Sequence, residues 1–130
     1  MSNKKILVIE DQMDMRFFLT TLLETNGFAP AMARNGIEGI EKAKAICPDM
    51  IILDVMMPGQ GGAQTYRELK SDDALQHIPV IILSAVAQHT FLHYLKMLNA
   101  REGLNIPLPD SYIEKPPEVP YLLNTIRRLI

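Results

Sequence analysis

A chain of 130 residues, 48% of them hydrophobic, has material for one compact core and no room for a second domain. Its formal charge of -2 leaves no basic surplus to neutralise a run of phosphates, which argues against direct nucleic-acid binding. Apolar runs such as residues 6–9 and 80–83 are strand-length, far below the roughly 20 residues that span a bilayer, so no membrane segment is expected.

Residues 4–9 form a β-branched-rich run that predicts a first strand. Only four apolar residues separate the opening Met-Ser-Asn-Lys-Lys from Glu10-Asp11, too few for a secretory signal, and a cytoplasmic location is expected. After Asp11 the apolar positions become Met15, Phe18, Leu19, Leu22 and Leu23, the spacing of a helix, which Asn26-Gly27 stops. Residues 28–33 read as a weaker strand, and Asn35-Gly36 introduces a helix carrying Ile37, Ile40 and Ala43. Cys47 is the only cysteine, cannot form an intrachain disulfide, and reads as a small buried hydrophobe at a helix end. Residues 50–53 are a continuous apolar run, as in a strand covered on both faces, and Asp54 ends it.

A loop with Pro58, Gly59, Gly61 and Gly62 leads to a helix near residues 63–70. Pro79 then opens a strand over 80–83, with Ser84 at its end. Residues 87–102 predict a helix carrying Phe91, Leu92, Leu95 and Leu98, with Gly103 placed to terminate it. A loop over 105–110, a short strand at 112–114 and a final helix through Val119, Leu122, Leu123, Ile126 and Leu129 complete the chain. Five strands alternating with five helices imply an α/β fold: a doubly wound, five-stranded parallel sheet with right-handed crossovers. Ligands of such sheets bind beyond the carboxyl ends of the strands, where strand order reverses.

Four of the five strands are closed there by polar groups: Glu10-Asp11, Asp54, Ser84 and Lys115. With strand order 2-1-3-4-5, the three carboxylates meet in one shallow pocket. At about 4 Å and an effective dielectric of about 20, each like-charged pair costs about 4 kcal/mol, so a cation must offset them. Hard oxygens at a partly open site suit Mg²⁺. The Lys115 ammonium and Ser84 hydroxyl could then hold phosphoryl oxygens while Asp54, ionised at neutral pH, acts as nucleophile. Phosphoryl transfer needs positioning and charge neutralisation more than covalent assistance.

Glu10-Asp11 after the first strand, Asp54-Val-Met-Met-Pro-Gly-Gln-Gly-Gly62, Ser84-Ala85 and Tyr112-Ile-Glu-Lys115-Pro116 together resemble the receiver domains of two-component response regulators, chemotaxis regulators among them. The resemblance covers the whole chain and implies a single flavodoxin-like (βα)5 receiver domain over residues 1–130. It implies that Asp54 is phosphorylated by a histidine kinase or phosphotransferase, that Glu10, Asp11, Asp54 and the Met56 backbone carbonyl hold Mg²⁺, and that Ser84 and Lys115 read the phosphoryl group. It further implies that Ser84 and Tyr112 switch the face made by the fourth helix, fifth strand and fifth helix, signalling to a downstream protein or output domain. Such a phosphoprotein of a phosphorelay is no enzyme beyond self-catalysed phosphotransfer and autodephosphorylation. Lys115-Pro116 resembles the family's cis peptide.

Two departures carry expectations. The chain between Ser84 and Lys115 is longer than the family's usual segment, with the excess in the late fourth helix and the 105–110 loop, so the output face should be unusual. Met56 and Val86 are apolar where the family tunes dephosphorylation, so the phosphoryl group should be long-lived. The alternatives are a degenerate receiver used only for protein binding, an aspartate-nucleophile phosphohydrolase of the haloacid-dehalogenase kind, which would want a second aspartate where Met56 stands, and a flavodoxin, whose phosphate Glu10-Asp11 would repel. His89 and His93, spaced i, i+4, have no third ligand nearby and read as a solvated helix face.

Overall fold

A computed structural model describes residues 3–55 and 61–130. The elements follow one another as β1 (Lys5–Ile9), α1 (Met13–Thr25), β2 (Ala29–Ala33), α2 (Gly36–Ile46), β3 (Met50–Leu53), α3 (Gly62–Ser71), β4 (Val80–Ser84), α4 (Gln88–Glu102), β5 (Ser111–Glu114) and α5 (Val119–Leu129). The strands form one sheet in the order β2-β1-β3-β4-β5, with every neighbouring pair parallel. This is the expected flavodoxin-like α/β architecture.

Alternation along the strands decides which helices cover which face. Leu7, Ile9, Ile51, Leu53, Val80 and Ile82 point to the side packed by α2, α3 and α4, through residues such as Ala43, Tyr66, Leu69, Phe91 and Leu95. Ile6, Val8, Met50, Ile52, Ile81 and Leu83 point to the other side, where Leu19 and Leu23 of α1 meet Leu122 and Ile126 of α5. β1, β3 and β4 are therefore buried on both faces, which explains their unbroken apolar runs. At Gly39 the approach of helix to sheet leaves no room for a side chain: a Cβ there would stand 2.5 Å from the Ile9 Cδ1 methyl.

Helix ends follow their capping chemistry. The Asn35 side chain accepts the Glu38 N–H at 2.9 Å and so caps α2, and the Glu38 carboxylate returns to the Arg34 N–H at 3.0 Å, just ahead of the helix. Gly103 closes α4 in the left-handed conformation, φ 65°.

Three local expectations are corrected. Cys47 is exposed, because it caps α2 in the left-handed region (φ 48°), where the backbone turns off the helix and carries the thiol into solvent. Ile37 is 80% exposed on the first turn of α2, and only Ile40 and Ala43 of that stripe reach the core. Phe18 of α1 is likewise exposed, while Thr20 is buried by returning its hydroxyl to the Arg16 carbonyl at 2.9 Å.

Candidate functional site

Sheet register places the carboxylates. Ile9 pairs with Leu53, so the next residues, Glu10 and Asp54, leave the sheet side by side. The Asp54 N–H donates to the Ile9 carbonyl at 3.0 Å, and the Glu10 N–H donates to that of Ala33 at 3.0 Å. On the other flank Ser84 pairs with Glu114, and the Lys115 N–H donates to the Ser84 carbonyl at 2.9 Å. Residues from four strands thus meet at one edge.

Glu10, Asp11 and Asp54 can each offer a carboxylate oxygen within 4.8 Å of the others. The Lys115 Nζ lies 2.8 Å from Glu10 Oε1 and 3.4 Å from Asp54 Oδ2. The second Glu10 oxygen accepts the Gln12 N–H at 3.2 Å. The Glu10 side chain is only 2% exposed, and burial raises its pKa above the ordinary value of 4.5 against the lowering effect of Lys115, with Asp54 pushing further upward. Asp11 is also raised, by partial burial and then by Glu10, but it stands at the open rim. Two raised carboxylates beside a third mark a site with surplus negative charge, and one lysine ammonium does not balance three carboxylates.

The carboxylates open into a cleft of about 130 Å³ whose lining includes Asn35, Gly62 and Thr65. Gly62 is required by contact: a Cβ there would fall 2.2 Å from the Asp54 carbonyl oxygen and 2.6 Å from the Val55 Cα. The start of α3 is thereby pressed against the backbone that carries Asp54.

Ser84 is fully buried. Its hydroxyl donates to the Val55 carbonyl and accepts the Val86 N–H, the latter at 3.1 Å. The Tyr112 hydroxyl donates to the Val86 carbonyl at 2.6 Å, and its ring packs on Phe91 with centroids 5.6 Å apart. Burial pushes the Tyr112 phenol up to about 12. Ser84 and Tyr112 are therefore tied to the same short segment after β4, and neither hydroxyl is spent on a carboxylate. The Lys115–Pro116 peptide bond is cis. Met56 lies outside the described residues.

One residue with a part in the site escaped the sequence reading. Arg16, half-buried on α1, reaches back with one guanidinium nitrogen to the carbonyls of Glu10 at 2.8 Å and Asp11 at 2.9 Å. Its signal is the spacing: five and six residues beyond two acidic residues, on the first turns of the helix that they precede. His89 and His93 are exposed on α4, and among the described residues the acidic trio is the only group of three or more His, Cys, Asp or Glu side chains placed so that it could hold a metal ion.

The profile of the response regulator receiver domain matches residues 6–127. The polar-differentiation response regulator DivK of Brucella anthropi is 33% identical over 125 residues, covering 95% of this chain and 94% of DivK, and DivK of Brucella ovis is 31% identical over the same length. Among solved structures, the signal receiver domain of a signal transduction histidine kinase from Syntrophus aciditrophicus superposes with a TM-score of 0.80 at 29% identity, covering 97% of this chain and 89% of that one. The Vibrio cholerae chemotaxis protein CheY4 shares the fold, with a TM-score of 0.78 at 22% identity over 99% of this chain and 100% of its own. The chain belongs to the response regulator receiver family of two-component signalling.

Proposed function

We propose that Asp54 accepts a phosphoryl group from a phosphohistidine of a histidine kinase or phosphotransferase, in a reaction that needs Mg²⁺, and that the whole chain acts as one receiver. The carrying observation is the packing of Glu10, Asp11 and Asp54 within 4.8 Å of one another, faced by the Lys115 ammonium. Three hard oxygens, two on largely buried side chains and one on Asp11 at the open rim, carry a residual negative charge and fit a magnesium ion that keeps part of its water shell. When bound, that ion would neutralise charge developing on the phosphoryl oxygens.

The protein's own residues do the rest. An Asp54 carboxylate oxygen forms a bond to phosphorus as the bond from phosphorus to the imidazole nitrogen breaks, and the bonding pair leaves with the imidazole. Lys115, already between Glu10 and Asp54, is positioned to exchange a carboxylate for a phosphoryl oxygen. Ser84 would release the Val55 carbonyl and donate to a second oxygen, drawing Val86 and the Tyr112 hydroxyl with it. That shift would reshape the face of α4, β5 and α5 toward a downstream protein or output domain. The half-buried Val86 has no polar group to orient an attacking water, which supports a long-lived phosphoryl group. A phosphohydrolase would want a second acid where Met56 stands, and a flavin phosphate would meet three carboxylates; both readings are disfavoured.

The test is to supply acetyl phosphate with Mg²⁺ to wild type and to Asp54→Asn and weigh the products. One added phosphoryl group on wild type alone is expected. No gain on either protein, in parallel with an unchanged spectrum on adding beryllofluoride, would leave the degenerate, binding-only receiver as the better reading.

A further inference from the structure

The segment between α4 and β5 is built into the protein rather than draped over it. Ile106 is buried in the core beside α3 and α4. The Asn99 side chain holds its backbone from both sides, accepting the Ile106 N–H at 2.9 Å and donating to the Ile106 carbonyl at 3.0 Å. The next carbonyl, that of Pro107, accepts the hydroxyl of Tyr66 at 2.7 Å, from α3. The Asp110 carboxylate accepts the Val80 N–H at 2.8 Å. Leu108, between these anchors, is 68% exposed and lines a shallow groove with Leu92, Tyr112 and Tyr121.

Tyr66 also connects this loop to the other end of the sheet. Its ring, fully buried, meets Phe91 edge-on at 5.9 Å, and Phe91 in turn packs on Tyr112 at 5.6 Å. A continuous line of contact therefore runs from the Ser84 hydroxyl through Val86, Tyr112, Phe91 and Tyr66 to the Pro107 carbonyl. Interiors packed at crystal density move by rearrangement of neighbours rather than by local compression. A displaced Tyr112 cannot leave Phe91 where it is without opening a void, and Phe91 cannot move without Tyr66. Tyr66 has one polar outlet among the described residues, the loop carbonyl, and burial raises its pKa, so it remains a donor.

From this continuity we infer that the 105–110 loop is a second output element of the receiver, with Tyr66 as the coupling residue that reports the position of Tyr112 to Leu108. The inference rests on the phosphoacceptor reading, because Asp54 chemistry is what would move Ser84 and Val86. Two arrangements of the line, one for each state of Asp54, would present Leu108 differently beside Leu92 and Tyr121.

The test is backbone amide NMR of the full chain with and without beryllofluoride and Mg²⁺. In wild type the amides of Ile106, Leu108 and Asp110 shift together with those of Asp54, Ser84 and Val86. In Tyr66→Phe, which keeps the ring and removes the hydroxyl, the site shifts persist and the loop shifts shrink by at least about twofold. Phe91→Leu, which keeps an apolar side chain and removes the aromatic contact, has the same effect with the Tyr66–Pro107 bond intact. Site amides that move while the wild-type loop stands still, or loop shifts equal in Tyr66→Phe and wild type, would overturn the coupling. Site amides that do not move would refute the phosphoacceptor reading, and the coupling with it.

Discussion

Lys115 reaches across 105 residues of chain to place its ammonium 2.8 Å from the buried carboxylate of Glu10. The contact joins the end of the last strand to the end of the first across β3 and β4, so the charge network closes this edge of the sheet. Removing Lys115 leaves Glu10 and Asp54 facing each other without a counter-ion in a largely dry setting. Lys115→Met is expected to cost about 3 kcal/mol of stability, by urea denaturation without metal, and added Mg²⁺ should recover part of it. A loss equal to that of an exposed ion pair would show that the lysine is dispensable to the network.

The pH dependence has a definite sign. Burial makes Glu10 hold its proton more tightly folded than unfolded, so its contribution to stability is full below about pH 4.5 and is lost as pH rises through the raised folded value. Metal-free wild type should therefore lose ground to Glu10→Gln as pH rises from 4.5 toward neutrality, read as the difference between the two denaturation midpoints. A constant difference over that window would contradict a raised Glu10. Mg²⁺, which favours the ionised carboxylate, should reduce the wild-type loss.

Arg16 holds the two carbonyls beneath the acidic pair without touching the carboxylates. Arg16→Gln is expected to raise the Mg²⁺ concentration needed for half-maximal phosphorylation by about three- to tenfold, in line with lost orienting contacts around metal ligands, while the rate at saturating Mg²⁺ stays near wild type. Arg16→Lys should recover part of the affinity. A lower maximal rate with unchanged metal dependence would assign Arg16 a different part.

Gly62→Ala should act on Asp54 through the backbone. Its new methyl would overlap the Asp54 carbonyl and the Val55 Cα, so either α3 or the end of β3 must move. A loss of about 1–3 kcal/mol is expected, with weakened beryllofluoride binding. Gly27→Ala, whose added Cβ would meet nothing within 4 Å, serves as a comparison: its cost comes from the positive φ of 87° and should leave binding unchanged.

Ile106→Ala separates a loop that belongs to the core from one laid over it. Truncating a side chain that is 7% exposed among Phe91, Leu95 and Tyr66 should cost about 2–4 kcal/mol, measured by thermal or urea unfolding, whereas Leu108→Ala should cost little.

Much of this protein is legible along the chain because its information is periodic or terminal. The apolar runs of β1, β3 and β4 announce strands buried on both faces, and Asp54, Ser84 and Lys115 stand where those runs and the last strand stop; parallel strands with helical crossovers then carry every carboxyl end to one edge. Local pattern cannot say which apolar residue finds a neighbour, so Ile37 and Phe18 look like core and are exposed, and Cys47 turns outward because a left-handed cap is a matter of one φ angle. Arg16 turning back to two carbonyls, Ser84 held by Val55 and Val86, and Tyr66 joining α3 to a loop 41 residues later are contacts between elements. Their existence depends on how helices settle against the sheet, which sums many weak, long-range packing choices that no short stretch of sequence contains.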